Sequence, residues 1–210
     1  MESIINFFID AYRDTPDYLI SLEAIAFVFG ILSVWYAKKA NILVYPTGII
    51  CTIITVYILY ISEYFGDMMM NFYYSVMSIY GWWNWSRKKD NKHLVPITRT
   101  SKKEKLIGFL FFILTMFVTY IVYKAYDYEL QIPNYIDIVT SGIFFTAMWY
   151  MANKKIENWT LWIIADIITI PLYAYRGLGM LSLQYLVFTI LAIQGYIEWK
   201  KSLDKSLQTA

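Results

Sequence analysis

Seven near-continuous apolar stretches, separated by short polar breaks, run along this chain at about 18–36, 42–61, 67–86, 106–124, 134–152, 159–176 and 180–199. Each is close to the roughly 20 residues that a helix rising about 1.5 Å per residue needs to cross a hydrocarbon core about 30 Å thick. The pattern predicts an all-α membrane protein with seven transmembrane helices. Ahead of the first run, residues 1–17 carry Glu2, Asp10, Asp14 and Asp17 and lack a basic leading segment, so they do not read as a cleavable signal. Ile4, Ile5, Phe7, Phe8, Ala11 and Tyr12 share one helical face, which predicts a short helix lying in the interface. Asp14 or Thr15 is expected to cap the first span, with Pro16 at its first position.

One run breaks the apolar pattern at its centre. The stretch Asn158–Pro171, N-W-T-L-W-I-I-A-D-I-I-T-I-P, carries Asp166 among apolar neighbours. An aspartate in mid-membrane costs about 2.5–3.5 kcal/mol on insertion scales, so a compensating partner or function is expected. Trp159, Trp162, Asp166 and Thr169 or Ile170 recur at intervals of three and four, which puts two indoles and a carboxylate on one face. That face suits a flat cationic ligand; helix-to-helix bonding by Asp166 with tryptophans that only pack is the alternative. Pro171 is a candidate hinge, because proline releases a backbone carbonyl.

The second half of the chain repeats the first. At a shift of 114 residues Glu23 meets Asp137, Trp35 and Tyr36 meet Trp149 and Tyr150, and Gly81 with Trp85 meet Gly195 with Trp199. The pair Lys38–Lys39 meets Lys154–Lys155 at a shift of 116, which predicts a small insertion there. The fourth run carries no charge ahead of Lys124 at its end and reads as a linker. Three spans leave the chain on the opposite side of the bilayer, so a second bundle of the same orientation requires one extra crossing. The expected organisation is an interfacial segment (1–17), a first three-helix bundle (18–86), a basic loop (87–105), a linker helix (106–124), a second bundle (134–199) and a tail (200–210). Such a 3+1+3 parallel repeat places a pathway between the bundles, where Asn71, Asp166 and Gln184 from spans three, six and seven can gather. Glu23 and Asp137 fall near outer span ends, where helix capping and interfacial solvation are favoured over a role in attracting cations to the mouth.

Charge sets the orientation. Of 18 basic residues, 15 lie on one side of this topology, leaving Arg13, Lys124 and Arg176 on the other. The positive-inside rule then predicts an external N-terminus and a cytoplasmic C-terminus. The basic loop is read as a topology signal in contact with lipid headgroups and not as a nucleic-acid patch. Its His93 is expected to be solvated. Cys51, the single cysteine, excludes an internal disulfide and a cysteine-rich metal site. The sequence holds no phosphate-binding loop, metalloprotease pair or nucleophile elbow, so no enzyme, no cofactor and no metal is predicted.

These segments resemble the PnuC family of vitamin transporters. The residues that carry the resemblance are D-M-M-M-N-F-Y-Y through Y-G-W-W-N-W (Asp67–Trp85), the sixth run extended to L-Y-A-Y-R-G-L (Asn158–Leu178), and Q-Y-L-V-F through G-Y-I-E-W in the seventh. It covers about residues 20–200. It implies a SWEET-like arrangement in a bacterial inner membrane and uptake of nicotinamide riboside by facilitated diffusion, with a cytoplasmic kinase trapping the product. Relatives of this architecture are linked to thiamine, riboflavin or deoxynucleosides, so a thiamine facilitator is the alternative within transport. An intramembrane enzyme or a receptor is the alternative from another class. The chain departs from the family pattern at Cys51 (commonly Asn), Asn71 (commonly Gln), Phe188 (commonly Tyr) and Gln184 (commonly apolar).

Nicotinamide riboside is a pyridinium with an amide and sugar hydroxyls. Trp159 and Trp162 are expected to supply aromatic faces. Asp166 is expected to supply charge or hydroxyl contacts, and Asn71, Gln184 and Tyr185 hydrogen bonds, with Tyr45 and Tyr74 closing the ends. The expected partners are a small cationic vitamin, membrane lipid and a downstream kinase, with oligomerisation left open.

Overall fold

The computed structural model describes residues 15–61, 65–89, 92–93, 95–125, 129–175 and 179–208. The interfacial helix expected at the N-terminus lies outside these residues up to position 14, and so does Arg176. Seven long helices follow in order: α1 (Asp17–Lys38), α2 (Val44–Ile61), α3 (Phe65–Ser86), α4 (Lys102–Ala125), α5 (Ile132–Ala152), α6 (Glu157–Tyr175) and α7 (Gly179–Gln208). Pro16 itself occupies the position before α1, one place earlier than expected, and its carbonyl accepts from Leu19 and Ile20 N–H. The segment 200–210 continues α7 as far as Gln208.

Four helices, α1, α2, α4 and most of α7, are long and apolar enough to cross a membrane by length and composition alone. The other three carry more polar residues, and they bury them. On α3, α5 and α6 the interior holds Ser78, Asn84, Thr140, Thr146, Asn158 and Asp166. Burial keeps these groups from lipid, and two of them also bond across helices, Asn84 donating to Ala152 O and Thr146 to Gly108 O, which is how less apolar segments are tolerated there.

The helices pair as α1·α2, α2·α3, α3·α5, α5·α6, α6·α7 and α7·α1, which closes a ring of six, while α4 packs on α5 outside it. Exchanging α1, α2, α3 with α5, α6, α7 leaves this set of pairings unchanged. That invariance is the structural form of the repeat. The linker helix is held by close approach: Thr146 Oγ1 donates to the Gly108 carbonyl at 3.2 Å, and Tyr123 on α4 donates to Asp137 on α5. Asp137 is thus tied to the linker. Much of the rest of α4, including Phe109, Ile113, Leu114 and Phe117, is exposed as a lipid-facing surface.

Backbone hydrogen bonds repeat at the same interval. Asn41 N–H donates to Tyr36 O and Lys155 N–H to Tyr150 O, at 3.0 and 2.9 Å. Ala40 and Lys154 both have φ of 50°, and Lys39 and Asn153 are the two C-caps. All these pairs are 114 apart. The expected insertion at this turn is therefore absent, and the lysine pairs that match at 116 are not structurally equivalent: Lys154 stands where Ala40 does, inside the turn.

The α3–α4 connection includes a two-residue hairpin, Lys88–Lys89 against Lys92–His93. The side chain of His93 lies outside the described residues. Further along, Thr98 straps onto the α5–α6 turn, its N–H donating to Lys154 O at 3.1 Å and its carbonyl accepting from Ile156 N–H at 3.0 Å. Lys155 pairs with Glu104 at 2.7 Å, and Thr100 N–H donates to Glu157 Oε2 at 2.9 Å.

Candidate functional site

Two aromatic locks close the lysine-rich end of the ring. In the first repeat Tyr45 (α2) lies fully buried over Gly81 (α3) and edge-on to Trp85, with centroids 5.0 Å apart at 83°. In the second, Trp159 (α6) lies over Gly195 (α7) and edge-on to Trp199, at 5.5 Å and 87°. Glycine is needed at both places because a Cβ would stand inside the facing ring. Each lock then reaches into the other repeat. Trp85 Nε1–H donates to Ala152 O at 3.1 Å, and Trp199 Nε1–H donates to Ala37 O at 3.0 Å. Since α3 and α7 are not neighbours in the ring, the 6.1 Å approach of Trp85 to Trp199 spans its interior. Lys154 caps Trp85, its Nζ 4.4 Å from the ring centroid. Burial pushes its ammonium below the ordinary lysine range, and no carboxylate pairs with it among the described residues.

Further along the helices a second set of aromatics crosses the interior. Trp162 (α6) meets Tyr74 (α3) at 6.2 Å and Phe144 (α5) at 5.5 Å. Phe144 in turn meets Tyr185 (α7) at 5.9 Å. Neither α3 with α6 nor α5 with α7 is a ring pair, so these contacts mark the interior. Tyr173 stacks on Tyr185 at 5.3 Å, on the side away from the locks.

Asp166 lies one turn from Trp162 at the midpoint of α6, and is 2 % exposed. Among the described residues its carboxyl has no hydrogen-bond or ion-pair partner. The same holds for the buried Nε1 atoms of Trp159 and Trp162 and the hydroxyl of Tyr45. Leaving buried polar atoms unpaired costs about 1–3 kcal/mol each, more for a charge. A ligand at the middle level that supplies positive charge and hydrogen-bond acceptors would relieve those costs at Asp166 and Trp162. Thr169, one turn on, bonds to its own helix, Oγ1 donating to Ala165 O at 2.8 Å. Pro171 sits within α6, which continues through it, and Ser182 of α7 donates to the Ile170 carbonyl beside it at 3.0 Å.

The residues selected from sequence fall into three groups. Trp162, Asp166, Tyr74 and Tyr185 surround the interior at the middle level, with Asn71 one turn before Tyr74 on α3. Tyr45 and Trp159 belong to the locks below it. Gln184 stands at another corner, where α1, α2 and α7 meet: a Cβ built on Gly30 would lie 3.3 Å from Cys51 Sγ and 3.4 Å from both Gln184 Nε2 and Phe188 Cζ. Cys51, Gln184 and Phe188, three of the four positions expected to depart from the family pattern, thus meet around one glycine. Phe144 is invisible in the sequence, since a phenylalanine in an apolar helix carries no signal of its own.

A model of the family described as nicotinamide mononucleotide transporter matches residues 20–201. The chain belongs to this family. The nicotinamide riboside transporter PnuC of Escherichia coli (strain K12) is 23% identical, over 86% of this chain and 85% of that protein. The protein of the same name from Neisseria mucosa is 28% identical, over 86% of this chain and 72% of that one. Among solved structures, the crystal structure of the vitamin B3 transporter PnuC superposes with a TM-score of 0.72 at 25% identity, covering 93% of this chain and 86% of that chain. The chain is accordingly a multi-pass membrane transporter and not an enzyme, and the seven-helix all-α architecture expected from its hydropathy is the family's.

Proposed function

We propose that this transporter takes up nicotinamide riboside by facilitated diffusion, the product being trapped by a cytoplasmic kinase. The observation that carries this reading is Asp166, buried and without a partner among the described residues at the midpoint of α6, beside the crossing aromatics Trp162, Phe144, Tyr74 and Tyr185. A pyridinium fits there for two reasons. Its charge offsets the buried carboxylate, and its flat face stacks on an indole with a cation–π gain of about 0.5–2 kcal/mol. Neutral donors and acceptors on Asn71, Gln184 and Tyr185 then suit an amide and sugar hydroxyls. The names of the relatives agree with a vitamin B3 nucleoside.

In this reading the N-terminus is outside, the C-terminus is cytoplasmic and the membrane is the bacterial inner membrane. The lysine-rich end is then the cytoplasmic one, as the positive-inside rule requires. The locks of Tyr45–Trp85 and Trp159–Trp199 close the cytoplasmic exit, and the two three-helix bundles rock about the site to open it. By facilitated diffusion the ligand equilibrates across the membrane.

Proteoliposomes holding only this protein test the proposal. Labelled nicotinamide riboside should enter until inside and outside concentrations match, and should accumulate further only when a riboside kinase and ATP are enclosed. Uptake of thiamine but not of the riboside would overturn the substrate. Saturable binding without entry would overturn uptake and leave a receptor.

A further inference from the structure

The two repeats are alike in their locks and unlike at the middle level. Along with the locks, Thr55 and Thr169 repeat in bonding to the carbonyls of Cys51 and Ala165, and Ser75 and Thr189 repeat in bonding to those of Asn71 and Tyr185. At three other positions related by the same 114 residues the symmetry is broken: Gly30 stands for Phe144, Gly48 for Trp162 and Thr52 for Asp166. The corner of α5, α6 and α3 is therefore aromatic and anionic. Its counterpart at α1, α2 and α7 has no aromatic group on α1 or α2 at these positions and no charge.

What fills the counterpart corner comes from α7. Because Gly30 has no side chain, Gln184 Nε2 approaches to 3.4 Å from the point where its Cβ would be, beside Cys51 Sγ and the Phe188 ring. The Thr52 hydroxyl, at the place of Asp166, is already engaged with Ser75 at 2.7 Å. The Gln184 amide is half-buried and makes no hydrogen bond among the described residues. It offers two donors and two acceptor lone pairs, all neutral. Such a group matches hydroxyls and does nothing for a cation.

We infer that the broken symmetry orients the ligand: the cationic ring goes to the Trp162–Asp166 corner, and Gln184, admitted by Gly30, reads the hydroxyl-bearing sugar end. This deepens the reading of the site as a riboside site and rests on it. Gln184 is then a specificity-determining residue, and Gly30 a positioning residue that acts through it. A pseudo-symmetric interior without this difference would accept the ligand in two orientations.

A cycle between protein and ligand tests it. Binding of nicotinamide riboside and of its 2′,3′-dideoxy analogue is measured by calorimetry on the purified protein and on Gln184→Leu, with melting temperature as the control for folding. Removing the hydroxyls should weaken binding to the unaltered protein at least tenfold and should cost Gln184→Leu less than twofold. Gly30→Ala, which presses on the Gln184 amide, should shift the same ratio in the same direction. Equal loss on hydroxyl removal in both proteins, or no loss in either, overturns the orientation while leaving the riboside site standing. Failure of the unaltered protein to bind the riboside overturns the functional reading itself and the orientation with it. If Gln184→Leu does not fold, Gln184→Asn, whose neutral amide ends one methylene short, replaces it and should lose more than half of the hydroxyl effect; its keeping the whole of that effect counts against the proposal.

Discussion

Replacing Gly195 by alanine sets two known effects against each other. Glycine to alanine inside a helix gains about 1 kcal/mol from propensity alone. Here the added methyl would stand 2.6–2.8 Å from Cζ2, Cη2 and Cε2 of Trp159, where carbon atoms prefer about 3.5–4.0 Å. Trp159 is 1 % exposed and wedged against Trp199, so it has nowhere to turn. Overpacking of this kind costs about 1–3 kcal/mol, which outweighs the propensity gain and gives a net loss of about 1 kcal/mol. Thermal or denaturant unfolding in detergent measures it. The sharper readout is a cycle with Trp159→Phe, which frees the space the methyl needs: the double variant should be more stable than the sum of the single losses by at least about 1 kcal/mol. Gly81→Ala against Tyr45 should behave the same way, since the contact is closer still. A Gly195→Ala protein that gains stability and shows no coupling to Trp159 would refute the lock.

Trp85→Phe and Trp199→Phe each keep a ring but remove the indole N–H that donates to Ala152 or Ala37. Each should cost about 1 kcal/mol and raise the labelling rate of a cysteine introduced near the lysine-rich end; equal stability and labelling would detach these bonds from closure. Lys154 titrates below the ordinary lysine value because burial disfavours its charge. The unfolded chain therefore holds the proton up to about pH 10.4 while the folded chain releases it earlier, so stability should rise with pH between the lowered value and about 10.4. Lys154→Met should remove that rise in unfolding measured from pH 7 upward, and an unchanged slope would contradict it.

The seven helices were legible because each apolar run is long enough to cross a bilayer and ends at a polar break. The repeat was legible where tryptophan and glycine mark it, at Trp35, Gly81, Trp85 and their mates. It was misaligned at Lys38–Lys39, because residue identity there favoured a shift of 116 while the turn geometry of Ala40 and Lys154 keeps 114. Asp166 was legible as an anomaly, since nothing in an apolar helix explains a charge. Phe144 was not, because its role depends on helices that are distant in sequence, and its mate is a glycine. The strap of Thr98 onto the α5–α6 turn was hidden for the same reason: backbone pairing between residues 57 positions apart leaves no pattern in either segment.

The central claim is that Asp166 is held buried and unpaired for a cationic ligand. Asp166→Asn tests it directly, with affinity for nicotinamide riboside and melting temperature measured on the same sample. The account predicts a 10- to 100-fold loss of affinity together with equal or higher stability, since an unpaired buried carboxyl costs the fold at least as much as the neutral amide that replaces it. Unchanged affinity with a destabilised protein would contradict it, and would make Asp166 a partner within the fold.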